Sequence, residues 1–339
     1  MVARIQTSTL AGFSRPVLVT GAAGFIGANL VRHYAACGAR VVAMVHEEGP
    51  VWRLESLPDA VEQVAVDVCD AREIHKLFAA VRPEVVLHCA AFGAYPDQTD
   101  AERIHNVNYD GVRYVLDAAR RCDGLRAFVQ MGTSSEYGIN CRAPREDAPT
   151  VPDSDYAVSK VAATALVRFY ASKHAVPAWV LRLYSVYGPY EDTSRLIPRL
   201  LAEAKNGRLP PLVDPRISRD YVYVGDVCAA CDALIERSAL GLTRGEIFNV
   251  GSGRKTTLEE IVAITRKLFA VPEHPKWESM PNRNWDHSDW YSDPSKANER
   301  LGWRATTALE EGLRETSRWM KREAALLELA RGQSVGAVA

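Results

Sequence analysis

The chain has 339 residues, 47% of them apolar and 24% charged, with a formal net charge of -1. That balance supports a substantial core in one large domain or two joined ones. It offers no general attraction to nucleic acid or an anionic membrane, so the expected partner is a small molecule.

In chain order, residues 1–15 lack a sustained apolar core and read as a flexible segment, not a signal peptide. From 16 to 188, β-branched runs (VLVT, RVVAMV, VEQVAVDV, VVLHCAA, RAFVQM, WVLRLYSV) alternate with helical patterns at 26–37, 71–80, 101–121 and 156–174. This alternation predicts a doubly wound α/β domain, a parallel sheet of Rossmann type with helices on both faces. Helices at 196–206 and 258–269 fall within 189–330, where proline-bearing loops dominate. That stretch is read mainly as a smaller carboxyl-terminal substrate-binding lobe on the sheet's carboxyl edge, some of whose segments can return to the first domain. Residues 331–339 read as a flexible tail. Nowhere do about 18 apolar residues run uninterrupted, so no membrane span is expected.

Seven scattered cysteines form no disulfide framework and fit a reducing cytoplasm. Cys228 and Cys231 form a CAAC pair in an alanine-rich helical stretch without a second pair, so packing is expected and no metal is assigned.

VLVTGAAGFIGANLV places Gly21, Gly24 and Gly27 between the first strand and the first helix, with Phe25 and Ile26 in the same turn. Glycines there allow a tight turn and close approach of backbone amides to a pyrophosphate, while the helix N-terminus favours the anion. Farther on, YAVSK puts Tyr156 and Lys160 four residues apart on one helix face. The ammonium would then favour the ionised phenol and make tyrosine usable for proton transfer near neutrality.

The Gly-x-x-Gly-x-x-Gly spacing and the Tyr-x-x-x-Lys pair resemble the extended short-chain dehydrogenase/reductase family over almost the whole chain. The resemblance implies NAD(P)-dependent hydride transfer. Asp67, with Val68 beside it, would meet adenine, and Ala90 and Ala91 would line the cofactor. Asn108 of an Asn-x-x-Gly would contact the cofactor or brace the fold, and Tyr156 and Lys160 would touch it as well. Thr133 of GTSSEYG would polarise the substrate oxygen opposite Tyr156. NAD-preferring relatives carry an acid at the end of the second strand, where this chain has Val45 and His46, with Arg53 a short loop away. The missing acid and nearby cations favour NADP over NAD, although Glu47 or Glu48 could serve NAD.

Sugar-nucleotide 4,6-dehydratases of the family place one or two acids directly after that threonine. Here Ser134 and Ser135 stand there, too weak as acids or bases for elimination, and they become substrate-binding candidates. Glu136 comes one place later, where alternation turns it elsewhere unless a bulge intervenes. Ser185 occupies the place of an asparagine that contacts the sugar phosphate. Arg219 and Arg283 match two arginines that grip the diphosphate. Asp226 and Asp293 read as caps; Trp285, Trp290 and Tyr291 either stack on the ligand or pin a loop. The resemblance thus implies a nucleotide-sugar substrate and a homodimer formed through the Tyr-x-x-x-Lys helix and the one before it. The favoured activity is reduction of a 4-keto or 4-keto-6-deoxy sugar nucleotide. Alternatives are an NAD-dependent 4-epimerase, a 4,6-dehydratase or a non-catalytic NAD(P)-binding protein.

Overall fold

The computed structural model describes residues 13–47, 49, 51–281 and 288–329. Residues 1–12 of the amino-terminal segment, Glu48, the tail 331–339, and Arg283 with Trp285 lie outside the described residues.

The first half alternates as expected: β1 (Val17–Thr20), α1 (Phe25–Ala36), β2 (Val41–Val45), β3 (Val61–Ala65), α2 (Ala71–Val81) and β4 (Val85–His88). After α3 (Ala101–His105) and α4 (Val112–Arg120) come β5 (Ala127–Thr133), α5 (Asp155–Lys173) and β6 (Ala178–Leu183). The helix expected over 101–121 is interrupted by a π-helical turn at Asn106–Gly111. Such turns insert an extra residue and re-aim side chains; here Asn108 is turned inward and Gly111 packs so closely on Val68 that a Cβ would lie 3.0 Å from it.

Beyond β6 follow β7 (Ser185–Tyr187), α6 (Leu196–Ala204), β8 (Ser218–Arg219), β9 (Tyr221–Tyr223), α7 (Val224–Ala239) and β10 (Ile247–Val250). The chain continues through β11 (Thr256–Thr257), α8 (Leu258–Phe269), α9 (Ser295–Leu301) and α10 (Leu309–Arg322). The main sheet runs β10-β6-β5-β4-β1-β2-β3, all parallel. β10 is a strand that the sequence pattern did not single out. It is only four residues long and sits among loops, yet it pairs Phe248 with Leu181 and extends the sheet. β1 and β4 are buried throughout, which requires helices on both faces and explains their unbroken apolar runs. The edge strand β3 exposes Glu62 and Gln63 instead.

On one face, α1 and α7 pack on the sheet through Leu30, Val31, Cys228, Cys231 and Leu234. Both thiols of the CAAC pair lie in this core, where burial raises their pKa values. The other face is covered by α2, α4 and α5. A separate core of Leu200, Leu201, Ile261, Val262, Leu313 and Trp319 unites α6, α8 and α10. Trp52, from a 3-10 turn after β2, inserts into that lobe and joins it to the nucleotide half.

Candidate active site

β1 and β4 are neighbours at the point where the strand order reverses, so the loops after them border a crevice at the sheet's carboxyl edge. Gly21 has φ +61°, and a Cβ on it would lie 2.6 Å from the Ala90 nitrogen. A Cβ on Gly27 would lie 2.3 Å from the Gly21 carbonyl oxygen. Any side chain at either place would push β1, α1 and the β4 loop apart. Gly24 is the exposed N-cap of α1, with no side-chain cap and no acid in the first turn, and Phe25 and Ile26 are half-buried just inside it. This bare amide-lined turn fits a diphosphate.

At the ends of β2 and β3, His46 Nε2 lies 3.9 Å from an Asp67 carboxylate oxygen. Asp67 is exposed, Val68 is buried, and Asp67 Oδ1 accepts from the Cys69 nitrogen at 2.9 Å. Ala90 is half-buried and Ala91 exposed beside the glycine turn. Arg53 departs from the expectation of a cation waiting for a 2'-phosphate. It is 6% exposed, its Nε donates to the Tyr190 carbonyl at 2.7 Å, and its Nη1 donates to the Ala23 carbonyl at 3.3 Å.

Thr133 ends β5 in extended backbone and caps a 3-10 turn, Ser134–Tyr137. Its Oγ1 accepts from the Ser135 nitrogen at 3.2 Å. The capping partner is Glu136, whose Oε1 accepts from the Thr133 nitrogen at 3.1 Å. Glu136 Oε2 accepts from Thr164 Oγ1 at 2.8 Å and Arg182 Nε at 2.9 Å. The turn therefore aims this carboxylate into the protein, against the face of Gly132. Ser134 also turns inward, its hydroxyl accepting from Trp290 Nε1 at 3.0 Å, while Ser135 stays half-exposed with its hydroxyl bonded to that of Thr133. Ser134 is thus 6% exposed and braces Trp290.

The first turn of α5, capped by Ser154, brings the Tyr156 phenol beside Thr133. Burial pushes that phenol up to about 12, a trend the nearby Thr133 side chain opposes. Lys160 donates from Nζ to the Met131 carbonyl at 2.7 Å, and burial lowers its pKa to about 8 against the pull of Glu136. Desolvation is the largest influence on this phenol, so in the protein alone it is pushed toward its neutral form. Asn108 braces the site: Nδ2 donates to the Phe92 carbonyl at 2.7 Å and to Ser159 Oγ at 2.9 Å, and Oδ1 accepts from the Phe92 nitrogen at 2.9 Å.

On the substrate side, Ser185 opens β7, half-buried, and donates from its backbone to the Asp220 carbonyl at 2.9 Å. Arg219 holds the Ser218 carbonyl at 2.8 Å, its guanidinium 5.3 Å over the ring of Trp290. Trp290 itself is buried with Tyr137, Cys141 and Tyr184 and forms a wall. Neither aspartate holds a cap position: Asp226, in the first turn of α7, ties it to the Thr306 and Thr307 amides, and Asp293, just before the N-cap Pro294 of α9, accepts from the Ser295 amide at 3.0 Å.

Sequence reasoning missed Tyr95, Glu191 and Arg195. Tyr95 and Arg195 act electrostatically on Tyr156, and Glu191 acts on Tyr95 and is acted on by Arg195. Arg195 sits 4.5 Å over the Tyr95 ring and donates to the Ala94 carbonyl at 2.8 Å. The one signal for Tyr95 was its place in the loop leaving β4 at the sheet's carboxyl edge.

A parallel sheet with a glycine turn at its switch point, and a Thr, Tyr and Lys gathered at the end of β5, define a dinucleotide-binding fold of the extended short-chain dehydrogenase/reductase type. Residues 17–251 match the NAD dependent epimerase/dehydratase family, and the chain belongs to it. It is 33% identical over 311 residues to the UDP-glucose 4-epimerase of Mycolicibacterium smegmatis, covering 88% of this chain and 96% of that one. It is 30% identical over 335 residues to the dTDP-glucose 4,6-dehydratase of Neisseria meningitidis serogroup B, covering 90% and 93%. The crystal structure of UDP-glucose 4-epimerase from Thermotoga maritima with UDP-glucose aligns with a TM-score of 0.81 at 27% identity, covering 91% of this chain and 99% of that one.

Proposed function

We propose that this protein is an NAD-dependent 4-epimerase of a nucleotide-activated sugar, with UDP-hexoses as the first class to test. The observation that carries this reading is the fixing of Glu136 by Arg182, Thr164 and the Thr133 amide. With that carboxylate withdrawn, the groups around Thr133 and Tyr156 on this loop are hydroxyls, which suit proton exchange at one oxygen and not elimination of water. The chain's likeness to two UDP-glucose 4-epimerases supports the choice of reaction and substrate class.

Gly21, Gly24, Phe25, Ile26 and Gly27 would hold the diphosphate of NAD. His46, Asp67 and Val68 would meet the adenosine, and Ala90, Ala91, Tyr156 and Lys160 would border the nicotinamide half. Bound there, NAD supplies a hydride acceptor and donor. Thr133 would hold the C4 oxygen, and Tyr156 would accept the C4 hydroxyl proton in the oxidative half of the reaction and return it in the reductive half. The ionised form that accepts is favoured by any positive charge brought near the phenol. Ser135, Ser185, Arg219 and Arg283 are assigned to the sugar nucleotide.

Reduction of a 4-keto sugar nucleotide with NADPH is the second reading, favoured by the absence of an acid at Val45 and His46. Purified protein incubated with UDP-glucose and no added coenzyme separates the two. Formation of the C4 epimer supports epimerisation; NADPH-dependent consumption of a 4-keto sugar nucleotide without epimer formation supports reduction.

A further inference from the structure

Residues 188–195, between β7 and α6, run from the glycine-rich turn to the loop after β4 and are fastened at both ends. At the glycine-rich turn, Arg53 bonds the Tyr190 carbonyl at 2.7 Å and the Ala23 carbonyl at 3.3 Å, so one guanidinium joins the segment to the turn itself. Asn29, one turn into α1, donates to the Pro189 carbonyl at 2.9 Å. The Tyr190 ring lies 4.1 Å beneath the Arg32 guanidinium and 4.7 Å from Trp319 of α10. At the other end, Arg195 donates to the Ala94 carbonyl in the loop after β4. The two loops that flank the switch point are therefore bridged by one stretch of chain.

Tyr190 is held at φ +68°, a conformation rarely kept by a non-glycine residue unless its surroundings impose it. Arg53 is well suited to impose it. Its guanidinium is set by the Trp52 ring, over which it lies at 4.3 Å, and it meets the segment at two points, the Tyr190 carbonyl and the Asp192 carboxylate 3.9 Å away. Glu191, next along, is half-buried, with its Oε2 covered and lacking a hydrogen-bond partner among the described residues.

We propose that residues 188–195 form a strap over the bound dinucleotide and that Arg53 is the positioning residue that latches it to the glycine-rich turn, slowing cofactor release. This deepens the epimerase reading and rests on it, because an epimerase keeps its cofactor while the keto intermediate turns over.

The test is the rate of NADH release, followed by fluorescence in the full chain, for wild type, Arg53→Met and Asn29→Ala. Both variants, on different elements, should release NADH about tenfold faster or more, since a latch acts on dissociation. Melting of the cofactor-free proteins monitors bracing separately. A residue that only braces the fold lowers that melting temperature and leaves release from folded protein unchanged. Release from both variants within about twofold of wild type overturns the strap. That result leaves the epimerase reading intact, because coenzyme-independent turnover by wild type is measured on its own.

Discussion

The Glu136 carboxylate and the Arg182 guanidinium meet at 2.9 Å with side chains 0% and 3% exposed. A pair this enclosed costs much to desolvate, and removing one partner leaves the other charge stranded. Glu136→Ala should therefore destabilise the fold by about 3–5 kcal/mol in urea unfolding. The same variant should produce no gain or loss of water-eliminating activity; a 4,6-dehydratase activity in wild type that Glu136→Gln abolishes would show that the carboxylate does chemistry.

The Tyr156 phenol and Thr133 lie beside each other at the end of β5. Tyr156→Phe should lower kcat by about 10²–10⁴-fold with cofactor binding retained. Thr133→Val should also lower kcat, by about tenfold or more, because a half-buried donor to the oxygen is lost. Steady-state kinetics alongside NADH binding separates these effects from damage to the cofactor site.

Glu191 has its pKa raised from 4.5 to about 8, chiefly by burial. The native carboxyl thus keeps a proton that the unfolded chain gives up above its ordinary value. Its stabilising contribution is complete below pH 4.5 and is lost as pH rises toward about 8. Denaturant titrations across this range should show wild-type stability falling more steeply than that of Glu191→Gln. Parallel slopes would mean that Glu191 ionises freely in the native state.

Val158 and Phe169 on α5 are 44% and 49% exposed although apolar, and 11 residues apart they lie on nearly the same helix face. If α5 forms the expected homodimer, Phe169→Glu should shift the protein to a monomer by light scattering. An unchanged mass would remove α5 from the interface.

Local patterns carried much of this structure. The β-branched runs, the glycine turn and Tyr156 with Lys160 depend on neighbours within a few residues, and periodicity exposes them. Glu136 was legible only in part: alternation turned it from the site, but its fixing depends on Arg182, 46 residues away. Arg53 was misleading for the same reason. In the sequence it resembles a loop cation near the adenosine, whereas its partner Tyr190 lies 137 residues on. The burial that acts on Tyr156 was not legible either, because helix spacing reports which groups share a face and not how deeply each is buried.

The most direct test of the central claim is proton NMR of UDP-glucose incubated with wild type and with Tyr156→Phe, without added coenzyme. The account predicts conversion to the C4 epimer by wild type and a rate lower by about 10²-fold or more for the variant. Equal conversion by the two proteins, or a 4-keto-6-deoxy product from wild type, would contradict it.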